Sequence, residues 1–464
     1  MNSSEFNKLL LKNFVLNPTK DQFSALKSLT DFLFNKNNST VFLLRGYAGT
    51  GKTTLMKTLV ENLHYSKMSY NLLAPTGRAA KVLSKYTQRK AYTVHKKIYY
   101  SKVDSSGNFK SSLKTNKLKN VVFIIDEASM ISESLNSNDL FKKNSLLSDI
   151  IDFIDFKTNS KLIFIGDSAQ LPPVNQSISP ALNAEYLEQN YNLKIDQYEI
   201  SDVVRQTEES GILFNATVIR NNIINEEIDF KFKKFNDIHF LSDGFEIQES
   251  IENSFNENGS DNSIIIVRSN KRANQYNKQI RKTILSHDHK VCIGDLLMIT
   301  KNNYFWTDSD PNISFLANGD IIEVLEIYRI RELYGFEFAE IKIKMVDYAN
   351  QPSFDTTIIL NTLDSDLPSL SYDQSNLLYQ EIQKDYLHIK SKYKRFIRTK
   401  ENPFFNALHV KFSYAITCHK AQGGQWPVVF IEKPFLKEGP NIDYLRWLYT
   451  ALTRAESKLY LIGF

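Results

Sequence analysis

The stretch that decides the fold is VFLLRGYAGTGKTTLMKTLV, residues 41–60. Residues 41–46 form a short apolar run that is typical of a buried strand, and residues 46–53, GYAGTGKT, match the pattern GxxxxGK[ST]. Apolar side chains then recur at helical spacing at Leu55, Met56, Leu59, Val60 and Leu63. The order of strand, glycine-rich loop and helix predicts a phosphate-binding loop.

The residue types in this loop suit a nucleoside triphosphate. Glycines let backbone N–H groups close around phosphate oxygens, and the positive end of the following helix faces the same anion. Lys52 would reach the β and γ phosphates, and the Thr53 hydroxyl would bind Mg²⁺. A chance glycine-rich turn is the alternative, but the flanking strand and helix argue against it. The predicted nucleotide contacts are Gly46, Gly49, Thr50, Gly51, Lys52, Thr53 and Thr54.

A pair of acids follows another apolar run. The run VVFII at 121–125 ends in Asp126 and Glu127, which places two carboxylates at the carboxyl edge of a parallel sheet, where ligands of such sheets bind. We expect Asp126 to hold Mg²⁺ and Glu127 to orient and deprotonate the attacking water. A merely solvated acidic pair is the alternative.

Further apolar runs give the fold class, α/β with parallel sheets flanked by helices. Runs at 71–75 and 161–167 complete one alternation of strands and helices, and a second alternation appears at 263–284 and 428–464. We predict a first domain over 1–190 and a second over 191–287 and 401–464. The spacing of apolar residues changes over residues 288–400. This change predicts an inserted β subdomain followed by one long helix over 373–397.

Composition limits the class of protein. The chain has 464 residues, of which 42% are apolar and 23% charged, so a disordered chain is excluded. No apolar run approaches the ~20 residues of a membrane span, and the N-terminus lacks a secretory signal, so we expect a cytoplasmic protein with no membrane contact. The net charge of +5 is only a weak sign of a polyanionic partner.

Five ordered motifs carry a resemblance to a known family. They resemble motifs Ia, II, III, V and VI of superfamily 1 helicases and read LLAPTGRAAK (72–81), DEAS (126–129), GDSAQLPPV (166–174), SYAITCHKAQGGQW (413–426) and WLYTALTRA (447–455). The forms GRAAK, AYTVHK (91–96) and CHKAQGGQW are similar to the RecD/Dda type, superfamily 1B. The resemblance spans roughly residues 16–464.

The resemblance implies two RecA-like motor domains that use ATP and Mg²⁺ and move 5′ to 3′ on DNA. It implies that Gln22 contacts the adenine base and that Gln170 senses the γ phosphate. It also implies that Arg205 and Arg454 reach the nucleotide from the second motor domain, as guanidinium groups suit phosphate oxygens. The inserted region resembles the SH3-like insertion of this branch.

The resemblance also implies where DNA binds. The predicted DNA contacts are Pro75, Thr76, Thr93, His95, Asn270, Thr417, His419 and Lys420, although the two histidines could be structural. Residues 98–114 would form an inserted β-hairpin that acts as a pin at the duplex junction, with Phe109 at its tip and Tyr99 or Tyr100 as alternatives. An ordinary surface hairpin remains open.

The leading hypothesis is therefore an ATP-dependent DNA helicase that binds single-stranded DNA and duplex junctions as a monomer. A second is a DNA-stimulated translocase, or a motor subunit that needs a partner to unwind. A third is a P-loop module whose nucleotide regulates assembly. The sequence does not decide between replication, repair and recombination as the pathway, or between DNA and RNA as the preferred nucleic acid. It also leaves open whether a single-strand-binding, replication or recombination protein is a partner.

Overall fold

A computed structural model describes residues 2–15, 17–34, 40–103, 109–133, 145–202, 210–303, 305–306, 316–346, 352–367 and 369–464, without the side chains of residues 101–103 and 109–111. The chain divides into two compact units. The first takes in most of residues 1–235 together with residues 438–453, and the second takes in mainly residues 236–437 and 454–464. The predicted α/β class with parallel sheets is confirmed.

The first unit is built on a parallel sheet. The strands up to residue 235 are β1 (Val41–Gly46), β2 (Ser69–Ala74), β3 (Ala91–Thr93), β4 (Tyr99–Val103), β5 (Phe109–Leu113), β6 (Val121–Ile125), β7 (Lys161–Gly166) and β8 (Ile195–Ile200). Six of them form a parallel sheet in the order β3-β2-β6-β7-β1-β8, and β4 and β5 form a separate two-stranded sheet.

The helices of this region follow the strands. They are α1 (Ser3–Lys12), α2 (Lys20–Phe34), α3 (Lys52–Asn62), α4 (Gly77–Thr87), α5 (Val94–Ile98), α6 (Leu146–Phe153), α7 (Ala184–Tyr191) and α8 (Gly211–Asn225). Both faces of the sheet are buried: Phe42 and Leu44 pack in a cluster with α1, α2 and α3, and Val41 and Leu43 pack in a cluster with α6 and α7. Burial on both faces explains why the strands are continuous apolar runs.

The second unit contains a parallel sheet and a barrel. The strands after residue 235 are β9 (Ile238–Leu241), β10 (Ser263–Val267), β11 (Leu296–Ile299), β12 (Ile321–Leu333), β13 (Phe336–Met345), β14 (Phe354–Ile359), β15 (Leu408–Phe412), β16 (Ala415–Thr417), β17 (Trp426–Glu432) and β18 (Ala455–Ile462). The parallel sheet has the order β16-β10-β17-β18-β9, and β11 to β15 close a barrel.

The helices after residue 235 are α9 (Gly244–Asn258), α10 (Asn270–Thr283), α11 (Tyr372–Lys384), α12 (Lys392–Lys400), α13 (Cys418–Ala421) and α14 (Ile442–Leu452). Short 3₁₀ helices occur at Leu63–Ser66, Ala128–Met130, Phe156–Thr158, Pro180–Leu182 and Leu360–Thr362. No helix in the described ranges is long and apolar enough to cross a membrane.

The prediction of one long helix over 373–397 is wrong, because two helices, α11 and α12, occupy this region. The break has a local cause and a tertiary cause. Ser391 caps the second helix by accepting a hydrogen bond from the Lys394 N–H at 3.4 Å. Asp385, at the end of α11, accepts a hydrogen bond from the Tyr334 hydroxyl at 2.6 Å. The apolar spacing continues across the break, so periodicity alone cannot reveal it.

Three segments depart from the domain limits expected from the sequence. Strand β8 pairs with β1, which extends the first sheet past residue 190. Helix α14 packs against α8 in the first unit, although the sequence pattern placed it in the second domain. In the second unit, barrel strand β15 extends beyond residue 400 and leads directly into β16.

A buried ion pair ties the barrel to the neighbouring helix in the second unit. The guanidinium of Arg281, on α10, donates to both carboxylate oxygens of Asp295 at 2.8 and 2.9 Å. Asp295, which immediately precedes β11, is 0% exposed and also accepts a hydrogen bond from the Cys292 N–H at 2.7 Å. Such a network stabilises a fold only while every partner is present.

Candidate nucleotide and nucleic-acid sites

The order of strands in the first sheet brings three motifs to one edge. Strands β6, β7 and β1 are neighbours and run parallel, so their carboxyl ends meet at the same edge of the sheet. The phosphate loop follows β1, Asp126 and Glu127 follow β6, and the GDSAQ segment follows β7. Ligands of parallel sheets bind at this edge, and the topology therefore gathers the predicted catalytic side chains.

The backbone of the phosphate loop depends on its glycines. Gly49 and Gly51 adopt φ of 79° and 82°, a left-handed conformation that favours glycine. A Cβ on Gly46 would lie 2.9 Å from the Thr50 hydroxyl oxygen. Lys52 begins α3, and its ammonium donates to the carbonyl oxygens of Gly46 at 2.6 Å and Tyr47 at 2.8 Å. The loop therefore curls around the lysine that would meet phosphate. Thr53 and Thr54 follow it in the first turn of α3.

Gln22 contacts this loop directly. Its side chain is 2% exposed, and its amide nitrogen donates to the Thr50 carbonyl at 2.9 Å. Its amide oxygen accepts from the Thr19 N–H at 3.1 Å. The structure thus places Gln22 against the phosphate loop, where one further amide N–H is available for a nucleotide base.

The two acids at the end of β6 differ in environment. Enclosure of the carboxyl by protein, and then the neighbouring Glu127 carboxylate, raise the pKa of Asp126 from 3.8 to about 7, while the Lys52 ammonium acts in the opposite direction. Glu127 adopts φ 52°, and its N–H donates to the Asp126 carboxylate at 2.9 Å. A carboxylate that is costly to ionise gains most from a cation. Asp126 and the Thr53 hydroxyl are also the hard oxygen ligands that Mg²⁺ prefers, so the donor set fits this ion.

Gln170 lies in the segment after β7 and is 5% exposed. Within the described structure its side-chain oxygen has no hydrogen-bond partner. Amide oxygen and nitrogen positions are interchangeable by a flip, so this buried end could accept from or donate to a ligand. An unsatisfied buried amide at this edge fits the predicted contact with the γ phosphate.

Sequence reasoning missed Tyr449, which links α14 to the phosphate loop within the first unit. Its hydroxyl accepts a hydrogen bond from the Ala48 N–H at 3.0 Å and donates to the Asp167 carboxylate at 2.8 Å. Its neighbour Thr450 accepts a hydrogen bond from the Leu171 N–H at 2.9 Å. Tyr449 lies inside the quoted segment WLYTALTRA, but helical spacing does not show which loop a helix will contact.

Arg220 on α8 was also missed. Its guanidinium carbon lies 4.3 Å from the centre of the Tyr47 ring, in the phosphate loop. The Tyr47 hydroxyl donates to the Glu199 carboxylate. No motif includes Arg220, and the isolated sequence offers no signal for it.

The two predicted arginines are placed differently. Arg454 is 5% exposed in the second unit and donates to the Gly424 carbonyl at 3.2 Å. Arg205 lies outside the described residues. Their contact with nucleotide stays a prediction.

The DNA candidates of the first unit follow β2 and β3. Pro75 and Thr76 lie after β2, and the Thr76 hydroxyl caps α4 by accepting from the Ala79 N–H at 3.2 Å. Thr93, which is 1% exposed, caps α5 in the same way. The His95 ring centre lies 5.6 Å from that of Tyr99. The two threonines thus have a structural role at the edge where DNA contact is predicted.

The inserted segment forms the two-stranded sheet of β4 and β5. At its base, Tyr99 is 8% exposed, and its hydroxyl donates to the Asp149 carboxylate at 2.5 Å. Tyr99 is therefore an anchor, and the alternative that placed it at the tip is wrong. The backbone of Phe109 begins β5, and its side chain lies outside the described structure.

The DNA candidates of the second unit meet because β10 and β16 are parallel neighbours. Asn270 begins α10 after β10, and its amide donates to the Asp366 carbonyl at 3.2 Å. Thr417 ends β16 and is 9% exposed. Burial, and then the charge of Arg268, lower the pKa of His419, so this imidazole is neutral near pH 7. Burial lowers the pKa of Lys420 to about 8.

The chain is similar to several known proteins. A family model described as an AAA domain matches residues 19–242, and a model of a UvrD-like helicase C-terminal domain matches residues 412–462. An uncharacterized protein of Acanthamoeba polyphaga mimivirus is 27% identical, with 95% of this chain and 98% of that protein covered.

Two helicase proteins are similar over most of the chain. The ATP-dependent DNA helicase dda of Enterobacteria phage T4 is 26% identical, with 90% of this chain and 93% of its own covered. The RecBCD subunit RecD of Buchnera aphidicola subsp. Schizaphis graminum is 28% identical, with 92% and 70% covered. A structure of Pif1 helicases at forked double-stranded DNA has a TM-score of 0.50 at 17% identity, covers 96% of this chain and 91% of its own, and shares the fold. Together these similarities support a helicase of superfamily 1B.

Proposed function

We propose that the protein is an ATP-dependent DNA helicase that moves 5′ to 3′ on single-stranded DNA and separates duplex ahead of it. The observation that carries the proposal is the meeting of Lys52, Asp126 and Gln170 at one sheet edge. Strands β1, β6 and β7 supply these side chains. This is an ATPase centre in a chain that is similar to Dda over nine-tenths of its length.

Each residue of this centre has a chemical task. Lys52 compensates the charge of the β and γ phosphates, and Gln22 contacts the base from its position beside Thr50. Asp126 and Thr53 would hold Mg²⁺, which neutralises charge that develops on the phosphates. Glu127 orients the attacking water and takes its proton.

The remaining contacts concern the transition state and the motor cycle. Gln170 contacts the γ phosphate and so senses whether it is present. Arg205 and Arg454 stabilise the negative charge of the transferring group. A nucleotide bound by residues of two domains favours one arrangement of those domains, and hydrolysis releases it. ATP turnover thereby drives movement along DNA.

DNA would be held by residues from both sheets and separated at the β4–β5 hairpin. The DNA contacts proposed are Pro75, Thr76, Thr93, His95, Asn270, Thr417, His419 and Lys420. Opening one base-pair step costs about 1.4 kcal/mol, so a pin needs mainly to block reclosing while the strand advances. Phe109 is the proposed tip. Action as a monomer, contact with duplex junctions, and a cytoplasmic location are parts of this proposal.

Strand displacement tests the proposal. Matched duplexes carry either a 5′ or a 3′ single-stranded tail, and Lys52→Ala, which lacks phosphate charge compensation, serves as the control without hydrolysis. Unwinding only from the 5′ tail is expected. Unwinding only from the 3′ tail overturns the polarity. DNA-stimulated turnover without displacement favours a translocase or partner-dependent motor, and slow turnover unaffected by DNA favours a nucleotide-regulated module.

The pin assignment has a separate test. Phe109→Ala should reduce unwinding several-fold while DNA-stimulated ATP turnover survives. Phe435→Ala is the matched control, because Phe435 is 93% exposed in the second unit. Equal unwinding by the Phe109→Ala variant and the unaltered protein would remove Phe109 from the pin.

A further inference from the structure

One face of α14 contacts the GDSAQ segment (166–170) that follows β7 in the first unit. Residues spaced by three and four positions share one face of a helix, and on this face they are Arg446, Tyr449 and Thr450. Two of these side chains reach the residues just before Gln170. The Arg446 guanidinium donates to the Ser168 carbonyl, and the Tyr449 hydroxyl donates to the Asp167 carboxylate at 2.8 Å.

The third side chain holds the residue just after Gln170. Thr450 is 0% exposed, and its hydroxyl accepts a hydrogen bond from the Leu171 N–H at 2.9 Å. The same hydroxyl donates to the Arg446 carbonyl, one turn earlier in α14, at 2.7 Å. Because its proton is used within the helix, the hydroxyl oxygen presents its lone pairs to Leu171. The backbone on both sides of Gln170 is therefore attached to α14.

The side chain of Gln170 is arranged differently from its backbone. The Gln170 N–H donates to the Asp167 carbonyl at 3.3 Å, and the residue is 5% exposed. Within the described residues, the amide oxygen of its side chain has no hydrogen-bond partner. A buried polar atom without a partner is unfavourable until a ligand satisfies it. The backbone of Gln170 is thus fixed, while the end of its side chain is left for a ligand.

We infer that Arg446 and Thr450 are positioning residues for Gln170, because they hold its backbone where the side-chain amide can meet the γ phosphate. This role rests on the proposed function, in which Gln170 contacts that phosphate. Arg446 and Thr450 act through Gln170 and have no contact of their own with the nucleotide. A contact that is already ordered loses less conformational entropy when its ligand binds. The preference of the protein for ATP over ADP should therefore depend on these two residues of α14.

The affinities for ADP and for the non-hydrolysable ATP analogue AMP-PNP, measured by calorimetry with Mg²⁺, test this role. Thr450→Val keeps the shape of the side chain but removes the acceptor for the Leu171 N–H. The affinity for AMP-PNP should fall by about two- to tenfold, the range that one net hydrogen bond supplies, while the affinity for ADP is unchanged. Thr450→Ser retains the hydroxyl and should bind both nucleotides as the unaltered protein does.

Thr30→Val is the matched control. Thr30 lies on α2 of the same unit and is 0% exposed, and its hydroxyl donates one turn back along the helix to the Leu26 carbonyl at 2.8 Å. It therefore matches Thr450 in burial and in the bond within its own helix. Thr30→Val should bind AMP-PNP and ADP as the unaltered protein does, and the melting temperatures of the two valine variants show any general loss of stability.

A double variant shows whether Thr450 acts through Gln170. Gln170→Ala removes the amide that would meet the γ phosphate, so it should weaken AMP-PNP binding and leave ADP binding unchanged. Adding Thr450→Val to Gln170→Ala should then cause no further selective loss, because residues that act as a unit are not additive. Arg446→Met removes the donor to Ser168 and should show the same selective loss, so it tests the role even if Thr450→Val does not fold.

The outcomes are distinct. Equal loss of AMP-PNP and ADP affinity in Thr450→Val, no loss of either, or a selective loss that adds to that of Gln170→Ala overturns the inference and leaves the proposed function standing. A selective loss in Thr30→Val as large as that in Thr450→Val means a general effect of buried threonines and also overturns the inference. If Gln170→Ala binds both nucleotides as the unaltered protein does, the γ-phosphate contact of the proposed function fails as well.

Discussion

The two parallel sheets are built by the same alternation of strands and helices, yet their carboxyl edges carry opposite chemistry. The edge of the first sheet places the carboxylates of Asp126 and Glu127 beside Lys52. The edge of the second sheet carries basic side chains, with Arg268 directly after β10 and Lys420 after β16. The first edge suits a metal-bound triphosphate and the second suits a phosphate backbone. The fold supplies the location, and the residues after each strand supply the chemistry.

The largest expected effect comes from removing the acid Glu127 at the edge of the first sheet. Glu127→Gln keeps the shape of the side chain but removes the proposed base, so ATP turnover should fall by about 10²–10⁴-fold while ATP binding and thermal stability are kept. Glu188→Gln, on the exposed side of α7, is the control. Steady-state turnover and nucleotide affinity are the measurements. Normal turnover in Glu127→Gln would show that another group is the base.

An acid in the second unit should affect the stability of the fold instead of catalysis. Asp295→Asn leaves the buried Arg281 guanidinium without its counter-charge, and the free energy of unfolding should fall by about 3–5 kcal/mol. Asp288→Asn, in the exposed loop nearby, changes net charge equally and should be neutral. Denaturant unfolding measures both. A loss of less than about 1 kcal/mol in Asp295→Asn would mean that water or another acceptor satisfies the Arg281 guanidinium.

The contact of α14 with the phosphate loop predicts a smaller effect. Tyr449→Phe leaves the Ala48 N–H and the Asp167 carboxylate without their partner, so stability should fall by about 1–3 kcal/mol and the KM for ATP should rise. Tyr65→Phe, at an exposed tyrosine, is the control. Thermal unfolding and ATP kinetics are measured together. An unchanged KM would make the contact structural only.

The smallest effect is a pH-dependent response to magnesium. A carboxyl whose pKa rises from 3.8 to about 7 on folding holds its proton more tightly in the folded protein, so its stabilising contribution is present at low pH and is lost as the pH rises through this window. Mg²⁺ should therefore raise the melting temperature by a few degrees at about pH 8 and hardly at about pH 5. Asp126→Asn should remove the response, and an equal response in that variant would place the ion elsewhere.

Local sequence signals predicted much of the first edge. The run at 41–46, the glycines that follow it and the apolar run before Asp126 are contiguous, and each determines its strand or loop by itself. Parallel strands then place these segments at one edge. The contact between Gln22 and Thr50 could not be predicted from the sequence, because the motif identifies the glutamine but not its partner in the loop.

Other features were not accessible from the sequence. The break between α11 and α12 combines a local cap at Ser391 with a contact between Tyr334 and Asp385, which are 51 residues apart in the chain. Tyr99 lies in a β-like pattern that suits a hairpin tip, but its hydroxyl finds buried Asp149. In both cases a distant side chain outweighs a local preference.

The sequence by itself determined the α/β class, the phosphate loop and the motif order, because apolar periodicity and glycine spacing act over a few neighbouring residues. Tertiary structure alone decided that α14 joins the first unit, through a hydrogen bond that spans 401 residues of chain, and that Tyr99 is anchored on Asp149. Such pairings depend on which buried surfaces pack together, and the free energy of that packing belongs to the folded chain as a whole.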